Sequence, residues 1–336
     1  MNLAEFHYDL PEELIAQQPA AERDGSRMLV VNRAKHSFED HWFRDLSRFL
    51  RPGDCLVLND SRVLPSRLFG YKAGGEARLQ IFLTRQLNSD ATEWTALVRP
   101  GRKVRLGDVI QFEGGLECEV VGWGEMGERT IRFRNADRIL DRLEEIGHIP
   151  LPPYIHRPDT AEDRERYQTV YATERGSVAA PTAGLHFTEA VLEQAREAGA
   201  VIARTTLHVG LGTFQPIHAA EIEDHRMHTE SYRMEAGEWE KVQGALRTVA
   251  VGTTSVRTIE TIATTHQLAG ETDIFIYPGY KFRQVGAMLT NFHLPGTTLL
   301  LLVCAFAGKE LMLAAYRHAV EQRYRFFSYG DCMLIV

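Results

Sequence analysis

Between Leu207 and Glu230 the chain concentrates groups that exchange protons near neutral pH. His208-Val209-Gly210-Leu211-Gly212-Thr213-Phe214 is followed by His225-Arg226-Met227-His228-Thr229-Glu230. With His218, this places four imidazoles and a carboxylate within 23 residues. An imidazole titrates near about 6.5 and suits general acid or base chemistry. Glycines 210 and 212 let backbone approach a ligand closely. A polar surface loop explains any one of these histidines, but less readily the whole group. A metal site is a weaker alternative, because His225 and His228 lack a nearby third ligand and no HExxH occurs.

A second constellation is Val251-Gly252-Thr253-Thr254-Ser255-Val256-Arg257. It reads as a strand passing through glycine into a helix. The first helical amides lack internal partners and lie at the positive end of the dipole. Thr253, Thr254 and Ser255 add hydroxyls, and Arg257 can pair bidentately with an anion. The segment suits a carboxylate or phosphate; a plain cap at Thr254 is the alternative. Neither the GxxxxGK nor the GxGxxG spacing is present. Three further segments carry polar groups: Ala179 to Phe187 with Thr182 and His186, Leu289 to Pro295 with Asn291 and His293, and Tyr324 to Asp331 with Tyr329. Arg99-Pro100-Gly101-Arg102-Lys103-Val104-Arg105 carries four positive charges in seven residues, a pattern suited to phosphates or to a solvated turn.

The elements that must hold these residues follow from apolar periodicity. Arg27–Val31 and Cys55–Leu58 read as strands, and Asp40–Leu50 as a helix. From Ser66 to Asn135, six short apolar segments recur between glycine turns: Arg67–Tyr71, Leu79–Thr84, Trp94–Val98, Val109–Phe112, Cys118–Val121 and Thr130–Phe133. Such spacing predicts a small closed barrel. Asp137–Ile146 reads as a helix, followed by the stiff connector Ile149–Pro153. Thr188 caps a helix ended by Gly199, with Phe187 and Leu192 placed as a staple. Val201–Val209, Val249–Val251 and Ile274–Tyr277 read as strands, and Thr298–Gln322 as helix interrupted at Gly308. The expectation is an α/β fold with an inserted antiparallel β-barrel, in two domains: residues 1–65 with 150–336, and residues 66–149.

The 336 residues are 44% hydrophobic, enough for a sizeable core. The longest apolar run, Leu299–Ala307, is far short of the ~20 residues of a membrane span. Met1–Leu10 carries Glu5, His7 and Asp9 and has no apolar signal core, so a cytoplasmic location is expected. Cys55, Cys118, Cys304 and Cys332 form no CxxC pair, and neither a disulfide framework nor a zinc knuckle is suggested. A net charge of −7 argues against nucleic-acid binding by the whole surface but leaves room for a local basic patch.

Together these segments resemble one family, the S-adenosylmethionine:tRNA ribosyltransferase-isomerases of queuosine biosynthesis. The resemblance also rests on Tyr8-Asp9-Leu10-Pro11, Leu14–Gln17, Arg23 with Ser26-Arg27, Pro52-Gly53-Asp54, Asn59-Asp60-Ser61-Arg62-Val63 and Tyr167–Tyr171. It implies transfer and isomerisation of the ribosyl portion of S-adenosylmethionine onto 7-aminomethyl-7-deazaguanine at the wobble position of GUN-anticodon tRNA. Epoxyqueuosine-tRNA, adenine and methionine would be the products. It implies S-adenosylmethionine as co-substrate, no permanently bound cofactor, no metal, no membrane and a monomer. His208 or Glu230 would be the base, and His186 or His228 the proton donor. Thr253, Thr254, Ser255 and Arg257 would hold the methionine carboxylate, and Thr182, Thr213 and His293 would line the substrate site. Asn291 or Asp331 would read the deazaguanine edge, and Tyr329 or Phe214 would stack on a base. Arg99, Arg102, Lys103 and Arg105 would contact tRNA. Arg78, Gly286 and Gly296 depart from the family pattern. The rival readings are an S-adenosylmethionine-dependent RNA methyltransferase and a non-catalytic tRNA-binding protein.

Overall fold

The structure is a computed structural model and describes residues 1–124, 127–134, 137–210, 217 and 221–336. In chain order the strands are β1 (Arg27–Asn32), β2 (Ser37–Trp42), β3 (Asp54–Asn59), β4 (Ser61–Val63), β5 (Arg67–Lys72), β6 (Arg78–Gln86), β7 (Glu93–Arg99), β8 (Val109–Phe112), β9 (Glu117–Trp123) and β10 (Arg129–Arg134). They continue as β11 (Glu174–Ser177), β12 (Val201–Leu207), β13 (Glu230–Arg233), β14 (Arg247–Val251), β15 (Ala269–Thr272), β16 (Val285–Asn291) and β17 (Cys332–Ile335). The helices are α1 (Ile139–Ile146), α2 (Asp163–Arg166), α3 (Glu189–Glu197), α4 (Ala236–Gln243), α5 (Thr253–Thr265), α6 (Thr298–Ala307) and α7 (Lys309–Glu321).

Among the described residues, nine strands form one mixed sheet in the order β15-β13-β12-β3-β14-β16-β17-β1-β2. Its middle is parallel, β12 with β3, β3 with β14 and β14 with β16. Every residue of β3 is buried, as expected of a strand covered on both faces. Strand alternation sorts the core into two layers. Leu29, Val31, Val57, Ala250 and Met288 pack with Val256, Ile259, Leu301 and Tyr316 of the helices on one face. Met28, Val30, Leu56, Leu58, Val251 and Leu289 pack with Phe43, Phe187, Val191 and Leu192 on the other. Thr188 caps α3 by accepting the Val191 amide at 3.2 Å. Gly308, at φ +89°, separates α6 from α7, which meet at 118°. No single helix among the described residues is long and apolar enough to cross a membrane.

The barrel is closed, in the order β10-β7-β6-β5-β8-β9, and its strand pairs are antiparallel. Leu68, Leu79, Ile81, Trp94, Ile110, Cys118 and Ile131 fill it. It is inserted between β4 and β11, which pair in parallel as a separate two-stranded sheet. On the return path Asp159 accepts the Ile149 amide at 2.9 Å and hydrogen-bonds His148 at 2.9 Å. The fold is therefore α/β with an inserted antiparallel barrel.

Two sequence expectations are corrected. Asp40–Leu50 is not an α-helix: its first residues complete β2, which pairs along the edge of β1, and Phe43–Phe49 is a 3₁₀ helix burying Phe43 and Leu46. Ile274–Tyr277 is not a strand. Its apolar residues, with Ile276 buried, pack as irregular chain against the first core layer.

The return from that segment is held by Glu260 on α5, which has no exposed surface. Its carboxyl accepts the amides of Arg283 (2.8 Å), Gln284 (3.0 Å) and Val285 (2.9 Å) and the Tyr280 hydroxyl (3.1 Å). This seats the start of β16. Glu260→Ala strands the buried Val285 amide and three part-buried donors and should cost about 3 kcal/mol in urea denaturation. A loss below about 1 kcal/mol would show that the loop does not depend on this carboxyl.

Candidate active site

The parallel strands at the centre of the sheet end together. Adjacent strands β3, β14 and β16 finish at Asn59, Val251 and Asn291, the edge at which open α/β sheets take ligands. A cleft of about 520 Å³, partly open to solvent, lies there. Thr182, Gly252, Thr253, Thr254, Thr290, Asn291, His293, Ser328 and Tyr154 supply polar groups. Ala180, Pro181, Ala183, Val209, Phe292, Leu299 and Phe327 supply apolar surface.

Helix α5 opens into this cleft. Gly252 precedes it at φ +85°, a conformation that favours glycine, and makes no side-chain cap. The amides of Thr253 and Thr254 therefore begin a 13-residue helix with no acceptor among the described residues. Asn59 fixes this corner. Its Nδ2 donates to the Leu207 carbonyl and the Thr254 hydroxyl, both at 3.1 Å, while its Oδ1 accepts the Ser61 and Leu207 amides at 3.1 Å. Ser255, expected among the ligand groups, is fully buried and donates its hydroxyl back to the Val251 carbonyl at 2.8 Å.

Asn291 fixes the opposite wall. Its Oδ1 lies 3.1 Å from His186 Nε2, and its Nδ2 donates to the Phe327 carbonyl at 2.8 Å and the Ser328 carbonyl at 3.3 Å. His186 Nδ1 lies 3.0 Å from the Ser26 hydroxyl. With Nε2–H on Asn291 and Nδ1 accepting from Ser26, both ring nitrogens are used. Burial lowers the His186 pKa to about 4, so the ring is neutral at pH 7. It stands behind the cleft wall, lining a neighbouring cavity with Arg23, Ser26 and Tyr329. His293 lies in the cleft wall itself, hydrogen-bonded to Thr290 at 3.0 Å, and burial lowers it to about 3.

Several expected residues lie elsewhere. Arg257 does not line the cleft: its guanidinium forms a buried ion pair with Glu230, whose other oxygen accepts the Gly210 amide at 2.8 Å. The proposed clamp and one proposed base thus bind each other. His208 lies one residue before Val209 of the cleft wall and packs on Gly176, where a Cβ would approach its ring to 2.9 Å. Its pKa is lowered by burial, against the opposing pull of Glu174, and its Nδ1 has no partner among the described residues. His228 is exposed and does not line the cleft. Tyr329 donates to Asp163 at 2.7 Å, and that carboxylate is also held bidentately by Arg157 at 2.6 and 2.8 Å. Asp331 accepts the amides of Arg27 (2.9 Å) and Arg325 (2.8 Å). It staples the C-terminal turn to β1 and does not line the cleft. Thr213, Phe214 and His218 lie outside the described residues.

Sequence reasoning gave Tyr154 no role, and took Phe327 and Ser328 only as part of the Tyr324–Asp331 segment. Tyr154 hydrogen-bonds Ser328 through its hydroxyl and meets Phe327 edge-on at 4.0 Å between centroids. The signal was present in the aromatic run before Tyr329 and in the tyrosine after the proline connector. Arg99, Arg102, Lys103 and Arg105 are exposed on the barrel. The residues that depart from the family pattern have local accounts. Arg78 stacks on Phe69 at 4.3 Å, Gly286 leaves room for the Arg247 side chain, and Gly296 turns at φ +68°. Among the described residues no three His, Cys, Asp or Glu side chains converge as a metal-binding set.

The neutral, buried histidines make the fold acid-sensitive. An unfolded imidazole takes its proton near about 6.5, well above the folded values. Their contribution is therefore complete above about pH 6.5. It declines toward pH 4 for His186 and toward pH 3 for His293. His186→Gln should lose less thermal midpoint than wild type between pH 7.5 and 4.5; equal losses would mean that His186 does not supply the sensitivity.

A family model described as "Queuosine biosynthesis protein" matches residues 3–335. The chain is 59% identical to a Solibacter usitatus protein and 51% identical to a Symbiobacterium thermophilum protein, over all of each chain. Both relatives are named S-adenosylmethionine:tRNA ribosyltransferase-isomerase. A Thermotoga maritima crystal structure named S-adenosylmethionine tRNA ribosyltransferase matches with a TM-score of 0.56 and 39% identity, covering 99% of this chain and 100% of that one. On sequence along its whole length and on fold, the chain belongs to the queuosine biosynthesis protein family.

Proposed function

We propose that this enzyme transfers the ribosyl portion of S-adenosylmethionine to the aminomethyl group of 7-aminomethyl-7-deazaguanine in tRNA and isomerises it to the epoxycyclopentane of epoxyqueuosine. The observation that carries the site assignment is the cleft at the ends of β3, β14 and β16, into which α5 directs its first amides. Those amides, at Thr253 and Thr254, suit the methionine carboxylate. Tyr154 and Phe327 flank the adenine, and the hydroxyls of Thr182 and Ser328 serve the sugar and base.

The sulfonium acidifies the ribose 5′ carbon. A base removes one of its protons, adenine departs, the acceptor amine attacks the sugar, and loss of methionine closes the epoxide. His208 is the better base of the two sequence candidates. It is neutral at pH 7 and its Nδ1 takes no partner among the described residues, whereas both oxygens of Glu230 are engaged. Glu230 with Arg257 then anchors the 208–210 segment, and His186 positions Asn291. The acceptor is the wobble position of tRNAs with GUN anticodons. The exposed Arg99, Arg102, Lys103 and Arg105 contact its phosphates. The protein acts as a cytoplasmic monomer without a permanently bound cofactor. Residues 1–65 with 150–336 form one domain and residues 66–149 the other.

Incubation with S-adenosylmethionine and tRNA carrying the aminomethyl base should release adenine in step with the modified nucleoside. An RNA mass gain of 14 Da would instead identify a methyltransferase, and tight binding without adenine release would identify a binding protein. Thr253→Pro deletes the first amide of α5 at a position where helices accept proline. It should raise the S-adenosylmethionine KM about tenfold and leave that for tRNA unchanged; equal changes would reject the carboxylate assignment. His208→Ala should slow single turnover about 100-fold or more. A full rate in His208→Ala would remove it as the base.

A further inference from the structure

Two barrel aromatics, Tyr71 and Trp123, are exposed, and Trp123 is the more so of the two. Trp123, at the end of β9, is 57% exposed. Its indole is nonetheless held in place, because the guanidinium carbon of Arg129 lies 3.7 Å from the ring centroid. Arg129 is 8% exposed and is itself fixed: it donates to the carbonyls of Gly127 at 2.7 Å and Glu128 at 3.1 Å. Trp123 and Arg129 are also directly paired across β9 and β10. One indole face is thus backed by a cation, and the ring is left largely in water.

This pair adjoins the cationic turn. Arg129 Nη2 lies 3.7 Å from the position a Cβ would take on Gly101, next to Arg102 and Lys103. Of the nearby carboxylates, Glu119 pairs with Arg134 at 2.7 Å and Glu93 with Arg132 at 2.7 Å, while Asp108 pairs with Lys72 at 2.8 Å and also accepts the Arg105 amide at 2.8 Å. Among the described residues Arg99, Arg102, Lys103 and Arg105 form no ion pair, on a chain of net charge −7. An immobilised indole beside cations that carry no ion pair matches a polyanion that carries flat apolar rings. A base stacks on the ring while its flanking phosphates meet the turn.

We propose that Trp123, backed by Arg129, is a stacking platform for an unpaired base of the tRNA substrate, and that it works together with the Arg99–Arg105 turn. This inference rests on the proposed function only for the identity of the RNA. Stacking and charge make different contributions, so binding measurements separate them. With the full chain and an unmodified transcript of a GUN-anticodon tRNA, Trp123→Ala should raise Kd about tenfold, within the range of one base–aromatic stack. The slope of log Kd against log salt should stay as in wild type, because no charge is removed. Trp123→Phe should recover much of the affinity. The double variant Arg102→Glu with Lys103→Glu should instead flatten the salt slope. A wild-type Kd for Trp123→Ala would overturn the platform. So would a loss that Phe does not recover and that accompanies a lowered thermal midpoint, since that would mark barrel damage. A wild-type protein that binds the transcript with these variant effects but releases no adenine when given S-adenosylmethionine and tRNA carrying the aminomethyl base would refute the proposed reaction and leave the platform standing.

Discussion

The cleft depends on one side-chain amide, that of Asn291. A carboxamide both accepts and donates, and at the end of β16 this one does so in three directions at once. It joins the strand to the loop carrying His186 and to the backbone of Phe327 and Ser328. Three segments distant in sequence become a single wall. Asn59 does the corresponding work two strands away, tying the end of β12 to Thr254. Between them β14 leads into Gly252, which contributes no side chain. The space left between two braced asparagines is where the α5 amides emerge.

The same economy shapes the far edge. Burying a lone carboxylate or guanidinium is costly, and pairing them answers the cost only when the remaining positions are also hydrogen-bonded. Glu230 and Arg257 meet this condition in part through the Gly210 amide and the Thr272 carbonyl. The pair links β13 to α5 and holds the backbone that leads to Val209. Charge here acts by setting the position of a loop beside the cleft, so residues that look reactive in the sequence serve as its frame.

The barrel was legible because its strands alternate cleanly, with one residue facing inward and the next facing water, and glycines mark the turns. The Thr188 cap and the break at Gly308 were legible for a similar reason: each is decided by local backbone chemistry. Asp40–Leu50 misled because an edge strand followed by a 3₁₀ turn spaces its apolar residues much as a helix does. In the site, the start of α5 could be read from a glycine followed by hydroxyl residues. The partnership of Arg257 with Glu230 could not, since it depends on where β13 lies beside α5. Tyr154 reaches the cleft only because the connector is docked on the C-terminal turn, where Asp163 gathers Arg157 and Tyr329. Nothing in its own neighbourhood announces that destination.

The place of β17 in the sheet has a consequence for the order in which the molecule assembles. It is the last strand in the chain, yet it lies between β16 and β1 and pairs with both. During synthesis the barrel can close long before this strand leaves the ribosome, because its contacts are local. The large sheet must wait. Until Cys332–Ile335 arrives, β1 and β2 have no link to the other six strands through the hydrogen-bond ladder, and the edge of β16 stays open. Asn291 also lacks the carbonyls of Phe327 and Ser328 until then. A ribosome that stalls near the end would therefore hold a finished barrel beside an open, adhesive sheet edge.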